Sequence, residues 1–337
     1  MTTKAAMVTF LFIVSAAVVL AQTPRQVSLI ITNGIVVTVD DGNRIINSGA
    51  VAIDGTDIVA VDTVENVRRQ FRGRQAIDAA GQVVMPGLVN THTHAPMVLY
   101  RGLADDLALD QWLTKYIFPA EAKTVSPEFV RAGTRLAALE MIESGTTTYA
   151  DMYYFEDEIA RETKAAGLRG VLGQTVIQFP VADAKTPAEG LARAERFVQA
   201  FKNDPLITPA VAPHAIYTND SATLKAAREM SVRLGVPTLI HVAETQSEAM
   251  TAKERGSGTV VSYLDSIGFL GPGVLAAHAV WVNDSDMALL KSRGVGVSHN
   301  PVSNMKLASG IAPVRAYLAA DVAIGLGTDG AASNNDL

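Results

Sequence analysis

Two histidines separated by one residue, His92 and His94, follow an apolar run over residues 83–89. In an extended strand, side chains alternate, so positions i and i+2 share a face and both rings can aim at one point beyond the strand's end. Two imidazoles are half of a transition-metal site, and the chain has no cysteine to supply sulfur ligands. A His-x-His pair taken alone is equally at home in a surface loop. Further along, however, polar residues recur after short apolar stretches: Pro213-His214, His241-Val242-Ala243-Glu244, Ala277-His278, His299-Asn300 and Thr328-Asp329-Gly330. All six histidines of the chain fall at predicted strand ends, which scatter would not produce.

The elements that must carry these residues are legible in the pattern. Residues 27–84 read as β structure, with 28–39 as two strands around Asn33-Gly34 and 50–61 as two around Asp54-Gly55. A short polar helix over 63–71 interrupts, and the whole suggests a small β-sandwich module without partner strands of its own. From Pro86 the rhythm becomes strand, loop, helix. Ser126-Pro127-Glu128 supplies an N-cap, a proline at the first helical position and an acid in the first turn. That helix continues through apolar Phe129, Leu136, Leu139 and Ile142 and stops at Gly145. Strands are expected over 146–151, 168–178, 207–215, 236–243, 274–279, 294–298 and 322–327, with a helix over 221–234. With the strand before His92 they number eight, the count of a (β/α)8 TIM barrel, whose active sites lie at the C-terminal strand ends.

Composition narrows the function classes. The chain has 337 residues, 48% hydrophobic, with net charge −6 and no basic block, so a nucleic-acid partner is not expected. No glycine-rich phosphate fingerprint follows a strand. Lys4, the apolar run over 5–20 and Val19-Leu20-Ala21 have the form of a secretory signal over residues 1–21. The run contains Thr9 and Ser15 and falls short of the ~20 apolar residues of a spanning helix, so an uncleaved anchor is the lesser alternative. The expected organisation is a signal peptide (1–21), a partial β-sandwich module (22–84) and a barrel (85–337), with a periplasmic or secreted product that meets a membrane only during export.

The motifs resemble those of the amidohydrolase superfamily over nearly all of the chain after Gln26. Pro86-Gly87-Leu88-Val89-Asn90-Thr91-His92-Thr93-His94 is similar to its first-strand signature. His241-Val242-Ala243-Glu244-Thr245 and the stretch from Ser298-His299-Asn300-Pro301 to Leu307 resemble its deaminase and chlorohydrolase branch. Arg101-Gly102-Leu103-Ala104-Asp105-Asp106, Trp112-Leu113 and Phe118-Pro119-Ala120-Glu121 most resemble the adenosine, methylthioadenosine and S-adenosylhomocysteine deaminases.

The resemblance implies one divalent metal held by His92, His94, His241 and Asp329, with zinc first and iron second. Such an ion lowers the pKa of water from near 16 to roughly 7. Binuclear members bridge two metals with a lysine on strand four, and residues 208–216 contain none. The resemblance further gives Glu244 as the group that moves a proton to the substrate ring, His278 as the residue that orients the attacking water, and Asp329 as an acceptor of its proton. It places Glu121 and His214 against the substrate, Glu121 on ribose hydroxyls. Trp112 is either a ligand-packing or a core residue, and His299 either supports the substrate or is structural. Because His241 and Val242 face opposite ways in a strand, Glu244 belongs to the following loop, above the metal rather than bonded to it.

Two departures from the family pattern stand out. Residues 174–180, after strand three, lack the arginines with which members that accept S-adenosylhomocysteine hold its carboxylate. The chain also ends at Leu337, before the eighth helix and the returning strands of the β module, so the barrel is expected to be C-terminally incomplete. The implied activity is hydrolytic release of ammonia from an aminated purine or related ring, a small-molecule substrate. Guanine or cytosine deamination and triazine dechlorination or deamination use the same machinery, and a non-catalytic binding relative or an inactive fragment is the rival of another class. A homo-oligomer is compatible with all of these.

Overall fold

A computed structural model describes residues 23–104 and 107–336; the signal-like stretch 1–21 lies outside the described residues. The chain separates into two units, Met1–Pro86 and Gly87–Leu337. Among the described residues no helix is long and apolar enough to cross a membrane.

The first unit holds strands β1 (Arg25–Val37), β2 (Ile45–Asp54), β3 (Asp57–Thr63), β4 (Phe71–Asp78) and β5 (Val83–Val84). They form one five-stranded sheet in the order β3-β2-β1-β4, with β5 also on β1. The expected sandwich is thus a single sheet. Its apolar face (Val27, Ile30, Ala50, Ala52) packs on Val67 of the helix Val64–Gln70, which covers what a second sheet would cover. The Asp54-Gly55 hairpin forms, joining β2 to β3. The Asn33-Gly34 turn does not: β1 runs through it, because β2 pairs with both halves, Ile31 opposite Val51 and Gly34 opposite Gly49. Asn33 absorbs the irregularity at φ +59°, a bulge rather than a reversal. The apolar run over 83–89 also divides. Val83–Val84 pairs with β1, and the barrel begins only at Leu88, beyond Pro86, which has no N–H to donate.

The second unit contains eight parallel strands: β6 (Leu88–Thr93), β7 (Thr146–Tyr153), β8 (Arg169–Val176), β9 (Ile207–Pro213), β10 (Thr238–Val242), β11 (Val274–His278), β12 (Gly296–His299) and β13 (Ile324–Leu326). Small and medium side chains fill the middle, with Met152, Ala210, Ala212 and Leu239 packed together. Side chains tie the last strands to the first. Asn90 donates to Thr328 Oγ1 at 2.7 Å and accepts from Thr328 N at 3.1 Å, beside the backbone bond from Asp329 N to the His92 carbonyl at 2.9 Å. Thr91 and Ser298 hydroxyls meet at 2.6 Å. Gly327 permits this closeness: a Cβ there would lie 2.3 Å from Asn300 Oδ1 and 2.9 Å from His92 N.

Helices start where capping chemistry puts them. Ser126 accepts from Phe129 N at 3.2 Å ahead of Pro127–Glu143, and Asp220 accepts from Thr223 N at 2.8 Å ahead of Ser221–Leu234. The buried face of Pro127–Glu143 differs from the expected one. Leu136, Leu139 and Ile142 are exposed, whereas Val130, Gly133, Ala137, Ala138 and Met141 are buried. Small residues win because the helix lies against Ala95–Tyr100, the turn after His94. A Cβ on Gly133 would stand 2.6 Å from the Pro96 carbonyl oxygen. Gly133→Ala should therefore destabilise the fold by about 1–3 kcal/mol, the range for overpacking. Urea denaturation reads this as a lower midpoint at unchanged slope; an unchanged midpoint would contradict the close approach.

Candidate metal centre and active site

Four side chains converge at the C-terminal end of the barrel. His92 lies within β6 and His94 one residue beyond it, His241 lies in β10, and Asp329 follows β13. His92 Nε2 is 3.5 Å and His94 Nε2 3.3 Å from Asp329 Oδ1, and His241 Nε2 is 3.3 Å from His94 Nε2. Ligands about 2.0–2.1 Å from a tetrahedral ion stand roughly 3.3–3.4 Å from one another, so the spacing is that of a coordination shell. Orientation agrees. The Nδ1 atoms of His94 and His241 lie 2.6 Å from the Met152 carbonyl and 2.8 Å from the His214 carbonyl. A carbonyl only accepts, so each Nδ1 carries the proton and each Nε2 keeps its lone pair for a metal. His92 Nε2 is buried with no hydrogen-bond partner, an orphan that an ion would satisfy. Gly330 N donates to Asp329 Oδ1 and Ser303 Oγ to Oδ2, both at 2.7 Å.

Protonation states match this use. Burial draws His92 down to about 4 and holds His241 well below the ordinary imidazole range. Burial pushes the Asp329 carboxyl up, but His92, whose Nε2 lies 3.5 Å away, and the other nearby imidazoles hold it well below its usual range. Neutral imidazoles beside an ionised carboxylate are the forms that ligate. The donor set fits a single divalent cation.

Glu244 and His278 stand beside this cluster. Glu244 follows the turn at Ala243; its Oε2 is 3.7 Å from His278 Nε2, and its Oε1 accepts from Ser309 Oγ at 3.3 Å. Burial, then the Asp329 charge, raises its carboxyl to about 8. His278 Nδ1 meets Asn304 Oδ1 at 2.8 Å, which directs Nε2 towards Glu244 and Asp329 Oδ2, 3.8 Å away. Ala243, His278, Ala279 and Asp329 all have positive φ, so strained backbone clusters at these strand ends.

The cavity over the cluster is also lined by Trp112, Phe118, Glu121, Tyr153, Tyr154, His214 and Tyr217. Glu121 is buried, with Tyr154 Oη 3.5 Å from its Oε2, and burial raises it to about 7. Trp112 is both core and lining. The His214 ring lies 4.6 Å from that of His241 and is drawn down to about 3 by burial, with Nδ1 3.0 Å from Thr218 Oγ1. His299, open between substrate support and a structural role, is not among the residues that line the cavity. Ser298 points into the barrel, bonded to Thr91 and Asn300, so strand alternation turns His299 the other way. Sequence reasoning had no role for Ser303, Asn304, Ser309 or Glu248, although the first two fall inside the Ser298–Leu307 motif.

The model of the amidohydrolase family matches residues 83–337. The chain belongs to this family. It is 46% identical over 312 residues to the 5-methylthioadenosine/S-adenosylhomocysteine deaminase of Syntrophobacter fumaroxidans, covering 93% of this chain and 71% of that one. It is 46% identical over 311 residues to the 5'-deoxyadenosine deaminase of Methanosarcina mazei, covering 92% and 70%. Among solved structures, an adenosine deaminase from Xanthomonas campestris with bound zinc superposes with a TM-score of 0.91 at 39% identity, covering 94% and 72%.

The site makes this amidohydrolase sensitive to pH once its metal is removed. The lowered histidines His92, His214 and His241 bind fewer protons folded than unfolded, so their contribution rises with pH and is complete above about 6.5. The raised acids Glu121, Glu244 and Glu248 bind more protons folded than unfolded, so their contribution falls as pH rises through about 7 to 8. Above pH 6.5 only the second effect remains. The melting temperature of the metal-free protein should drop between pH 6.5 and 8.5, and zinc should offset the drop. A flat or rising curve in calorimetry would contradict it.

Proposed function

We propose that this amidohydrolase is a zinc-dependent hydrolytic deaminase of adenosine-like nucleosides, including those modified at the 5′ position. The observation that carries the reading is the cluster of His92, His94, His241 and Asp329, the last three lining one cavity together with the buried pair Glu244 and His278. The deaminase relatives support it. A divalent ion held by the cluster would let water act as a nucleophile at neutral pH.

The remaining work falls to side chains. Asp329 takes the proton of the attacking water, and His278, held by Asn304, orients that water through Nε2. Burial holds the Glu244 carboxyl above its usual range and so favours its acid form, which can give a proton to the ring nitrogen beside the amino-bearing carbon. The new C–O bond forms as the ring nitrogen gains this proton. Asp329 then gives the water's proton to the amino group, the C–N bond breaks, the new hydroxyl returns its proton to Glu244, and ammonia leaves with the 6-oxo product. Glu121 receives ribose hydroxyls, while His214 and Trp112 wall the ring. The test is ammonia release by zinc-loaded protein from 5′-methylthioadenosine, 5′-deoxyadenosine, adenosine, guanine, cytosine and an amino-triazine. Adenine nucleosides should dominate; preference for guanine, cytosine or the triazine would overturn the substrate, and silence on all would favour a binding protein.

Export is also part of the proposal, supported by Lys4, the apolar run and Val19-Leu20-Ala21. Mass spectrometry of protein made in an exporting host should find a mature N-terminus at or near Gln22. An intact Met1 in the membrane fraction would show an anchor instead.

A further inference from the structure

We infer that Glu248 is a positioning residue that fixes where Glu244 stands in the cavity. The inference rests on Glu244 being the proton-transferring group, and its test separates the two. Glu248 opens the helix Glu248–Glu254 and is buried, 2% exposed. Its Oε1 accepts two backbone hydrogen bonds, from Glu244 N at 2.8 Å and Thr245 N at 3.1 Å. Those two N–H groups belong to the peptide planes on either side of the Glu244 Cα. One oxygen therefore pins both planes and with them the direction of the Cα–Cβ bond.

The turn needs holding. β10 ends at Val242, and Ala243 sits at φ +48°, a region L-residues seldom adopt. Such a backbone persists only where its surroundings over-determine it. The Ala243 carbonyl is held from the turn after β11, accepting from Val280 N at 3.0 Å and Trp281 N at 2.9 Å. Glu248 holds the N–H side. Between these two clamps the Glu244 carboxyl reaches Ser309 and His278. Helix capping does not account for the acid. The cap position is Ser247, whose side chain makes no capping bond, and the carboxyl of Glu248 serves the turn before it. Burial and the neighbouring Glu244 both work against a charge at Glu248, raising it to about 7, so an acid here carries a penalty that a neutral cap would avoid.

The experiment compares zinc-loaded Glu248→Ala, Glu248→Gln and Glu248→Asp with Glu244→Gln, measuring kcat, KM, zinc content and the pH profile of kcat/KM. Alanine removes the acceptor, aspartate withdraws it by one methylene, and glutamine retains a carbonyl oxygen that can accept both bonds. Misplacing a reacting group by about 1 Å can lower the rate 10²-fold, so Glu248→Ala should lose kcat by that order with KM and zinc content near wild type. Glu248→Gln should restore most of kcat. The pH limb set by Glu244 should move in the alanine and aspartate variants and stay in the glutamine variant. Normal kcat with an unmoved limb in Glu248→Ala, or equal losses in Ala and Gln, would overturn the inference. If Glu248→Ala does not fold, Glu248→Asp decides by the same outcomes. A depressed Glu244→Gln beside normal Glu248 variants would sink this inference alone, whereas normal kcat in Glu244→Gln would sink the parent reading and this inference with it.

Discussion

Glu244→Gln is expected to lower kcat by roughly 10²–10⁴-fold, about 3–5.5 kcal/mol of barrier, while the protein keeps its metal. Glutamine preserves the size of the side chain and an acceptor for Ser309 Oγ, but it cannot release and recover a proton. The Glu244 carboxyl lies 3.7 Å from His278 Nε2 and is not among the clustered metal donors, so its loss should leave metal affinity intact. KM should change little, because the proton matters most in the transition state. Steady-state kinetics with elemental analysis on the same sample decides. Near-normal kcat would remove Glu244 from the proton path, and lost metal would make it a ligand.

His241→Ala should behave differently. Its Nε2 stands 3.3 Å from His94 Nε2, and its Nδ1 is committed to the His214 carbonyl. Changing a partner that merely orients a ligand typically weakens metal affinity about 10–100-fold, so removing the ligand itself should weaken it by at least that much. Activity should vanish in dilute protein and return partly with excess zinc, a dependence that Glu244→Gln should not show. Competition with a chelator of known affinity measures the difference. Equal zinc retention in His241→Ala and wild type would exclude His241 from the coordination shell.

Much of this site was legible because a strand end is a strong local signal. Each apolar stretch has a period or length that marks a strand, and the residue just past it must face the C-terminal mouth of a barrel. Hence all six histidines and Asp329 could be placed at strand ends from the sequence, and the family resemblance then singled out His92, His94, His241 and Asp329 as metal ligands. His299 shows the limit: it ends β12, yet the parity of a four-residue strand depends on Ser298 facing Thr91 across the barrel, a contact with a residue more than 200 positions away. The same limit explains the Pro127–Glu143 helix. Its large apolar residues marked one face, but Gly133 and Ala137 permit the close approach to the turn after His94, and close approach decided. Asn33-Gly34 has the local chemistry of a hairpin, but both halves found a better partner in β2. Glu248 and Asn304 act on neighbours rather than on a substrate, through a backbone turn and an imidazole nitrogen. Residue type and spacing carry no trace of such a role.

Metal-dependent deamination is tested most directly by following ammonia from 5′-methylthioadenosine with one preparation in three states: zinc-loaded, chelated, and reconstituted. The zinc-loaded protein, at about one ion per chain, should release ammonia and the 6-oxo nucleoside one for one. Chelation should abolish the reaction, and added zinc should restore it. Folded, zinc-loaded protein that releases no ammonia, or chelated protein that releases it at the same rate, would contradict the proposed function.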